Sequence, residues 1–365
     1  MFVTKLIINH FRNYSHLEAS FDLNRIYITG ENGIGKTNIL ESIYYMTLGR
    51  SFRKADDVSL IQKNENEASI YLEYFSEKEN KSHRLSCVIS KDHKLFAFDD
   101  EKVKSISSIF GKLLTVNYDP GQVFFFRNEP EQRRRYLDEI CSQLSSQYLY
   151  ALVRYKKLLK ERNLALQQDY DQDVIDSYRN QLINLSYRIV KERKDMIKSL
   201  SLKSTDYYKK LFDQEDKIMS LKYKTSCPID DDQESFVKNS IQLFEKNKSL
   251  ENIRKITLIG PHRDDLIGLL NENPLAEYAS QGENRIASIS LKLSTLDIIY
   301  EKTNTKPILL LDDITSDLDD KRCKNLLKII NNDSMQVFIT GTKKSQEFAN
   351  YQTYISDGKS LLKGE

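Results

Sequence analysis

The most constraining stretch of the chain runs from Arg25 to Thr47, RIYITGENGIGKTNILESIYYMT: a short apolar β-prone segment, a glycine-rich loop, then a helical pattern opening at a Lys-Thr pair. The spacing Gly30-x-x-x-x-Gly35-Lys36-Thr37 is that of a P-loop. Gly30, Gly33 and Gly35 carry no side chain to block an approach, so successive backbone N–H groups can turn inward around phosphate oxygens. Lys36 supplies a point charge for the β- and γ-phosphates, Thr37 a hydroxyl for Mg²⁺, and the helix beyond turns its positive end toward the ligand. Glu31, Asn32, Ile34 and Asn38 complete the set of candidate nucleotide-binding positions, and the expected ligand is a nucleoside triphosphate with magnesium. The bland alternative is a glycine turn before a capped helix. Four fixed positions arise by chance in about one chain per hundred of this length, which favours the phosphate site.

The 365 residues, 39% hydrophobic and 30% charged, suffice for about two domains with real cores. Cys87, Cys141, Cys227 and Cys323 lie far apart without a C-x-x-C pair, so neither a disulfide framework nor a zinc site is expected. The opening MFVTKLIINHFRNY lacks an uninterrupted apolar region, and no later stretch approaches a membrane span; the expectation is a cytoplasmic protein with no membrane partner. Net charge is only +2, but residues 151–210 hold fourteen Lys and Arg against eight Asp and Glu. A solvated helical face and a phosphate-tracking face explain that excess equally well.

Residues 2–8 and 25–29 read as strands flanking a turn, and 38–47 as the helix after the P-loop, the opening of an α/β nucleotide domain. Ile70/Leu72/Tyr74 and Leu85/Cys87/Ile89 alternate with period two and predict an antiparallel β lobe; residues 113–118 predict one more strand. Pro130 suits the first turn of a helix, and a long helical region with little Gly or Pro follows as far as Pro228. Within it Tyr148, Leu152, Tyr155 and Leu159, then Ile175, Tyr178, Leu182, Leu185 and Ile189, form two ladders that predict an antiparallel hairpin with a short coiled-coil seam. A further helix is expected over 236–246, with the α/β pattern resuming at Ile256. The helical block, 123–249, therefore reads as an insertion in a nucleotide-binding domain made of 1–122 and 250–365.

Pro307-Ile308-Leu309-Leu310-Leu311-Asp312-Asp313 is a buried-strand pattern ending in two carboxylates, the Walker B arrangement. Asp312 is placed to hold Mg²⁺ and Asp313 to orient or deprotonate an attacking water. Ser316-Asp317-Leu318-Asp319 resembles the D-loop of ATP-binding-cassette ATPases. Ser280-Gln281-Gly282 precedes a helix whose face is marked by Ile286, Ile289, Leu293, Leu296 and Tyr300, and forms a second anion site. One nucleotide does not ordinarily use both this site and the P-loop; in ATP-binding-cassette proteins the signature motif meets the ATP of the other subunit.

With these motifs in order, the chain resembles the RecF family of bacterial recombination and gap-repair ATPases, related to the heads of SMC and Rad50 proteins. The most specific pieces are Phe11-Arg12-Asn13-Tyr14, GENGIGKTN over 30–38, Gly49-Arg50-Ser51, Arg133-Arg134, Gly260-Pro261-His262-Arg263-Asp264-Asp265-Leu266, the Ser-Gln-Gly signature and the Walker B run. The resemblance implies an α/β ABC-type ATPase head, a mixed sheet plus antiparallel β lobe, with an inserted α-helical lid. It further implies ATP-dependent homodimerisation, slow hydrolysis, binding to duplex and gapped DNA, and cooperation with RecR and RecO in loading recombinase.

Two departures stand out: Phe52 where the family usually has His, and Pro120-Gly121-Gln122 where it usually has Pro-Glu-Asp. Gln122 falls where a Q-loop would contact magnesium and the γ-phosphate, and Thr340-Gly341-Thr342 stands where transporter ATPases carry a switch histidine. Arg133 and Arg134 are candidate DNA-phosphate contacts, although Arg134 and Asp138 also form an ordinary i, i+4 pair. His262 reads either as a general base or ligand or as a hydrogen-bonded loop residue. An ATP-gated dimerising scaffold with incidental hydrolysis is the main alternative; an SMC-like or transport ATPase or a P-loop kinase fits the motif set less well.

Overall fold

The computed structural model describes residues 1–22, 24–53, 55–331, 334–342 and 346–364, with the side chains of Ser316 and Asp317 outside the description. The chain divides into two compact units, one made of residues 1–124, 207–216 and 281–365, the other of 125–206 and 217–280. Residues 250–280 thus cluster with the helical segment, where sequence patterning joined them to the nucleotide domain.

The first unit contains two six-stranded sheets. In the antiparallel one the order is Tyr14–Ser20, Phe2–Phe11, Glu67–Ser76, Lys81–Ser90, Lys94–Phe98, Glu101–Lys102. The period-two residues decide its inner face: Ile70, Leu72, Tyr74, Leu85, Cys87 and Ile89 are all buried. The Tyr14–Ser20 strand, absent from the sequence expectation, pairs with Phe2–Phe11 across a turn at Arg12 and Asn13. The mixed sheet has the order Leu361–Lys363, Gln352–Ser356, Arg25–Thr29, Val337–Gly341, Ile308–Leu311, Thr115–Tyr118, parallel except at the Leu361–Lys363 edge. The strands Ile308–Leu311 and Val337–Gly341 are buried throughout and apolar but for Thr340, as strands covered on both faces are. Because neighbouring strands run parallel, the segments after Thr29, Leu311 and Gly341 emerge at the same end of the strands.

The second unit is helical, with Pro130–Leu144, Ser146–Gln167, most of Gln172–Phe212, and Gln233–Arg254. Pro130 stands in the first turn as expected. Ser145 caps the second helix by accepting the Tyr148 N–H at 3.0 Å, and Asp232 caps the fourth by accepting that of Ser235 at 2.9 Å. Arg193 reaches Tyr148 at one end of the hairpin while Ile175 packs on Ala165 and Leu166 at the other, so the two helices run antiparallel. Ile183, Val190, Cys227, Phe236, Phe244 and Ile259 form a core of this unit. The helical region is interrupted before Pro228 by the strand Met219–Lys224, which pairs with Asp265–Leu270. Its alternation is weak because only Met219 is fully buried. No helix among the described residues is long and apolar enough to cross a membrane.

Candidate functional site

The helix after the P-loop begins at Lys36, with Gly35 in front of it at φ 112°. A Cβ on Gly35 would lie 2.6 Å from the Asn13 amide, so both the backbone angle and the neighbour exclude a side chain there. Asn13 donates to the carbonyls of Ile34 at 2.9 Å and Gly358 at 3.0 Å and accepts from Asn38 at 2.7 Å. One amide thereby pins the loop to the first helical turn and to the C-terminal strand pair. Its neighbour Arg12 makes a two-point ion pair with Glu41, at 2.8 and 2.9 Å. Glu41 is fully buried and also accepts from Ser51. The FRNY and Gly-Arg-Ser motifs therefore brace the P-loop helix, a role sequence spacing alone did not reveal.

A cavity of about 450 Å³ opens at this end of the strands, lined by Asn32, Gly33, Gly35, Lys36, Thr37, Asn38, Arg53, Pro120, Asp312, Asp313 and Thr340. Lys36 is buried, and its Nζ donates to the Gly30 and Glu31 carbonyls at 2.7 Å each. Desolvation lowers its pKa, while Asp313 and Asp312 oppose the shift. Thr37 Oγ1 donates to Asp312 Oδ1 at 2.8 Å, which joins the P-loop helix to the Walker B strand across the cavity floor. Thr340 Oγ1 donates to the same oxygen at 2.7 Å and accepts the Asp313 N–H at 2.9 Å. Thr340, in the segment expected to replace a switch histidine, thus ties the Asp312 carboxylate to the Asp313 backbone through one hydroxyl. Burial raises the Asp312 pKa against the hydrogen bonds from Thr340 and Thr37. Asp313 has left-handed backbone angles, φ 46° and ψ 40°, which turn the chain sharply out of the strand.

Arg53 was not among the sequence candidates. It lines the cavity and donates to Asn38 Oδ1 at 3.0 Å, and the spacing of the motif preceding it gave no reason to single it out. Phe52 meets Tyr44 edge-on at 5.5 Å between ring centres, a packing role a histidine would not fill in the same way. Gln122 does not line the cavity: its Nε2 donates to Asp119 at 2.6 Å, and Pro120 occupies the rim instead. Gln281 and Gly282 begin the Gln281–Thr303 helix, with Gln281 exposed, and Ser280, also exposed, ends the second unit. Ile286, Ile289, Leu293 and Leu296 are buried as the helical face predicted, whereas Tyr300 is exposed. Asp319 accepts from the backbone N–H of Arg322 at 2.9 Å; the Ser316 side chain lies outside the described residues.

The arginine candidates lie in the second unit and turn inward. Arg133 is buried, with Nε and Nη2 donating to Asp265 at 2.7 and 2.9 Å, so it offers no outward charge to DNA phosphate. Arg134 donates to the Asp264 carbonyl at 2.7 Å rather than to Asp138. Asp138 instead pairs with Arg193 at 2.7 Å and Lys156 at 3.2 Å, and the i, i+4 partner pair is Arg135 and Glu139. Arg193 also reaches the Asp264 carboxylate at 2.7 Å. His262 is held by Tyr155 OH at 2.6 Å and the Thr257 carbonyl at 3.0 Å. Burial lowers its pKa to about 4, so it is a neutral, hydrogen-bonded loop residue at neutral pH.

Residues 2–356 match the family described as the RecF/RecN/SMC N terminal domain. The chain is 35% identical to the DNA replication and repair protein RecF of Acetivibrio thermocellus over 94% of both chains. It is also 35% identical to that of Clostridium novyi, over 100% of this chain and 98% of the relative. Among solved structures it is similar to the recombination mediator protein RecF with ATP, described in the RecFOR pathway, with TM-score 0.91, 28% identity, and coverage of 100% and 98%. An SMC head domain from Pyrococcus furiosus shares the fold at TM-score 0.57 and 16% identity, covering 100% of this chain and 96% of that one.

Proposed function

The chain belongs to the RecF family of DNA replication and repair proteins, and on that premise we propose that it is an ATPase whose nucleotide state controls a DNA-bound dimer. ATP binds in the Lys36–Asp312 cavity, two copies join on duplex or gapped DNA, and slow hydrolysis releases them; RecR and RecO are the partners in recombinase loading. The observation that carries the nucleotide site is the 2.8 Å bond between Thr37 and Asp312, which brings the P-loop and the Walker B strand to one cavity. The ATP in the solved relative supports the same reading.

The residues fit a magnesium ion. Among the described residues no group of three or more His, Cys, Asp or Glu gathers to cage a metal. Mg²⁺ needs no such cage, since it commonly takes one carboxylate or two with phosphate and water oxygens. Thr37 and Asp312 would hold it, and it would neutralise charge on the phosphates. Lys36 exchanges its two loop carbonyls for phosphate oxygens, and Asp313 orients the attacking water. Ser280, Gln281 and Gly282 meet the nucleotide of the other copy, with Asp319 and Ser316 in the adjoining D-loop. The first unit is then the ATPase head and the second the lid.

Replacing Lys36 by Ala removes the cation aimed at the phosphates and should abolish ATP binding and ATP-dependent dimerisation with little change in melting temperature. Equilibrium binding of a fluorescent ATP analogue and light scattering on the same sample read both. An Ala variant that binds and dimerises like the parent removes the cavity from this role.

A further inference from the structure

The outward face of the Ser146–Gln167 helix carries a second heptad pattern, separate from the ladder that closes the hairpin. Tyr150, Val153, Lys157, Lys160 and Leu164 step by three, four, three and four, and all five are exposed. Tyr150, Val153 and Leu164 keep 59%, 57% and 49% of their accessible surface. Single exposed apolar residues are ordinary; three of them on one stripe at seam positions form a face that lacks its partner. The buried ladder explains none of them, because Tyr148, Leu152 and Tyr155 point the other way.

We propose that this face docks an acidic amphipathic helix of another protein. Lys157 and Lys160 stand within the seam, Arg154 flanks it and donates to the Tyr150 hydroxyl at 2.7 Å, and the one acidic residue of this helix, Glu161, approaches Lys157 at a loose 3.9 Å, while Lys156 is already paired with Asp138 at 3.2 Å. Lysines at seam positions lay their alkyl stems along a facing helix and send the ammonium to carboxylates at its edges. A second copy of this face would oppose like charges, so self-pairing is disfavoured. Duplex DNA would use the cations but leave the three apolar side chains in water, and a helix uses both. The seam spans two heptads, so the complex is a weak, regulated one rather than a permanent coiled coil.

The test is fluorescence anisotropy with the full-length protein and a labelled three-heptad peptide carrying Leu at the seam and Glu at its flanks. Its Lys-flanked counterpart and a labelled duplex DNA serve as the other arms. The parent should bind the acidic peptide, Val153→Asp should weaken that binding by about tenfold or more, and Lys157→Glu with Lys160→Glu should reverse the preference toward the basic peptide. All three positions are at the surface, so ATP-analogue binding should stay parental and report an intact fold. The proposal is overturned if neither peptide binds or if both bind alike. It is overturned equally if the substitutions reduce duplex binding alone, or if they abolish a self-association seen by light scattering.

Discussion

In the first unit the charged motif residues Lys36, Asp312 and Asp313, joined by Arg53, line an open cavity large enough for a phosphate chain. In the second unit charged residues, among them the motif residues Arg133, Asp264 and Asp265, face one another: Arg133 with Asp265, Arg162 with Glu251, and Arg193 with Asp138 and Asp264, all buried. The sequence writes both sets in the same letters, and Lys36 and Asp312 are buried as well; what separates the sets is the cavity that the first one lines. A charge that lines a cavity can exchange its protein partners for a ligand, whereas a charge closed inside a core must be satisfied by its neighbours or cost several kcal/mol. Asp264 and Asp265 of the GPHRDDL motif are on these grounds closed inside the core of the second unit, whereas the P-loop and Walker B pair face a cavity.

The contrast is sharpest at Arg193. Burial works against its charge, yet Tyr148, Asp138, Tyr223 and Asp264 hold it ionised, and Arg193 and Lys156 in turn hold the buried Asp138 carboxyl below its ordinary pKa. Arg193→Met keeps the volume and removes the buried cation shared by two carboxylates, leaving Asp138 to Lys156 and Tyr148 and Asp264 to Tyr223, so stability should fall by about 3–5 kcal/mol. Urea denaturation of parent and variant measures this. A variant as stable as the parent would dissolve the distinction between the two units.

A smaller effect is expected at His262, and it depends on pH. The folded protein holds this imidazole at about 4, against an ordinary 6.5, because it is buried. Between those values the unfolded chain takes up a proton that the folded chain refuses, so stability falls as pH drops through the window and levels off below it. The loss attributable to this group is on the order of 3 kcal/mol at the acid end. Subtracting the pH–stability curve of His262→Gln from that of the parent isolates it. A flat difference curve would mean that His262 titrates normally and is not sealed in.

Much of this organisation was legible in the sequence. The period-two runs at Ile70 and Leu85, the apolar strand before Asp312 and the Gly30-to-Thr37 spacing each state a local rule that the fold obeys. Partnerships across the chain were not legible. Arg133 looked outward because a helix start with three arginines gives no sign that Asp265 waits 132 positions later. Gln122 was placed by analogy of position, but Asp119 captures its amide through a bond three residues long in sequence. Asn13 and Thr340 stood in motifs the sequence named, but their work, bonds to Ile34, Gly358, Asp312 and Asp313, emerged only with the tertiary structure. The Met219–Lys224 strand escaped because its partner, not its own alternation, makes it a strand.

The smallest expected effect on folding, and the one that divides the units most cleanly, belongs to Asp313. Its left-handed backbone suits Asp and Asn better than almost any other residue with a side chain, so Asp313→Asn keeps the turn. It also keeps the Asp313 N–H bond to Thr340, and Asp312 retains its hydroxyl donors. Stability should therefore change by no more than about 0.5 kcal/mol. What the amide lacks is the proton acceptor. If Asp313 prepares the attacking water, ATP turnover should fall by roughly 10²- to 10⁴-fold while ATP still binds and the ATP-bound dimer outlives the parent's. Asp312→Asn should differ, weakening magnesium-dependent ATP binding as well as turnover. Thermal melts, steady-state phosphate release and dimer lifetime on the two variants give the comparison. A large drop in melting temperature for Asp313→Asn would make the residue structural, like its counterparts in the second unit. An unchanged melt with parental turnover would leave ATP as a bridge between copies whose hydrolysis does not depend on this carboxylate.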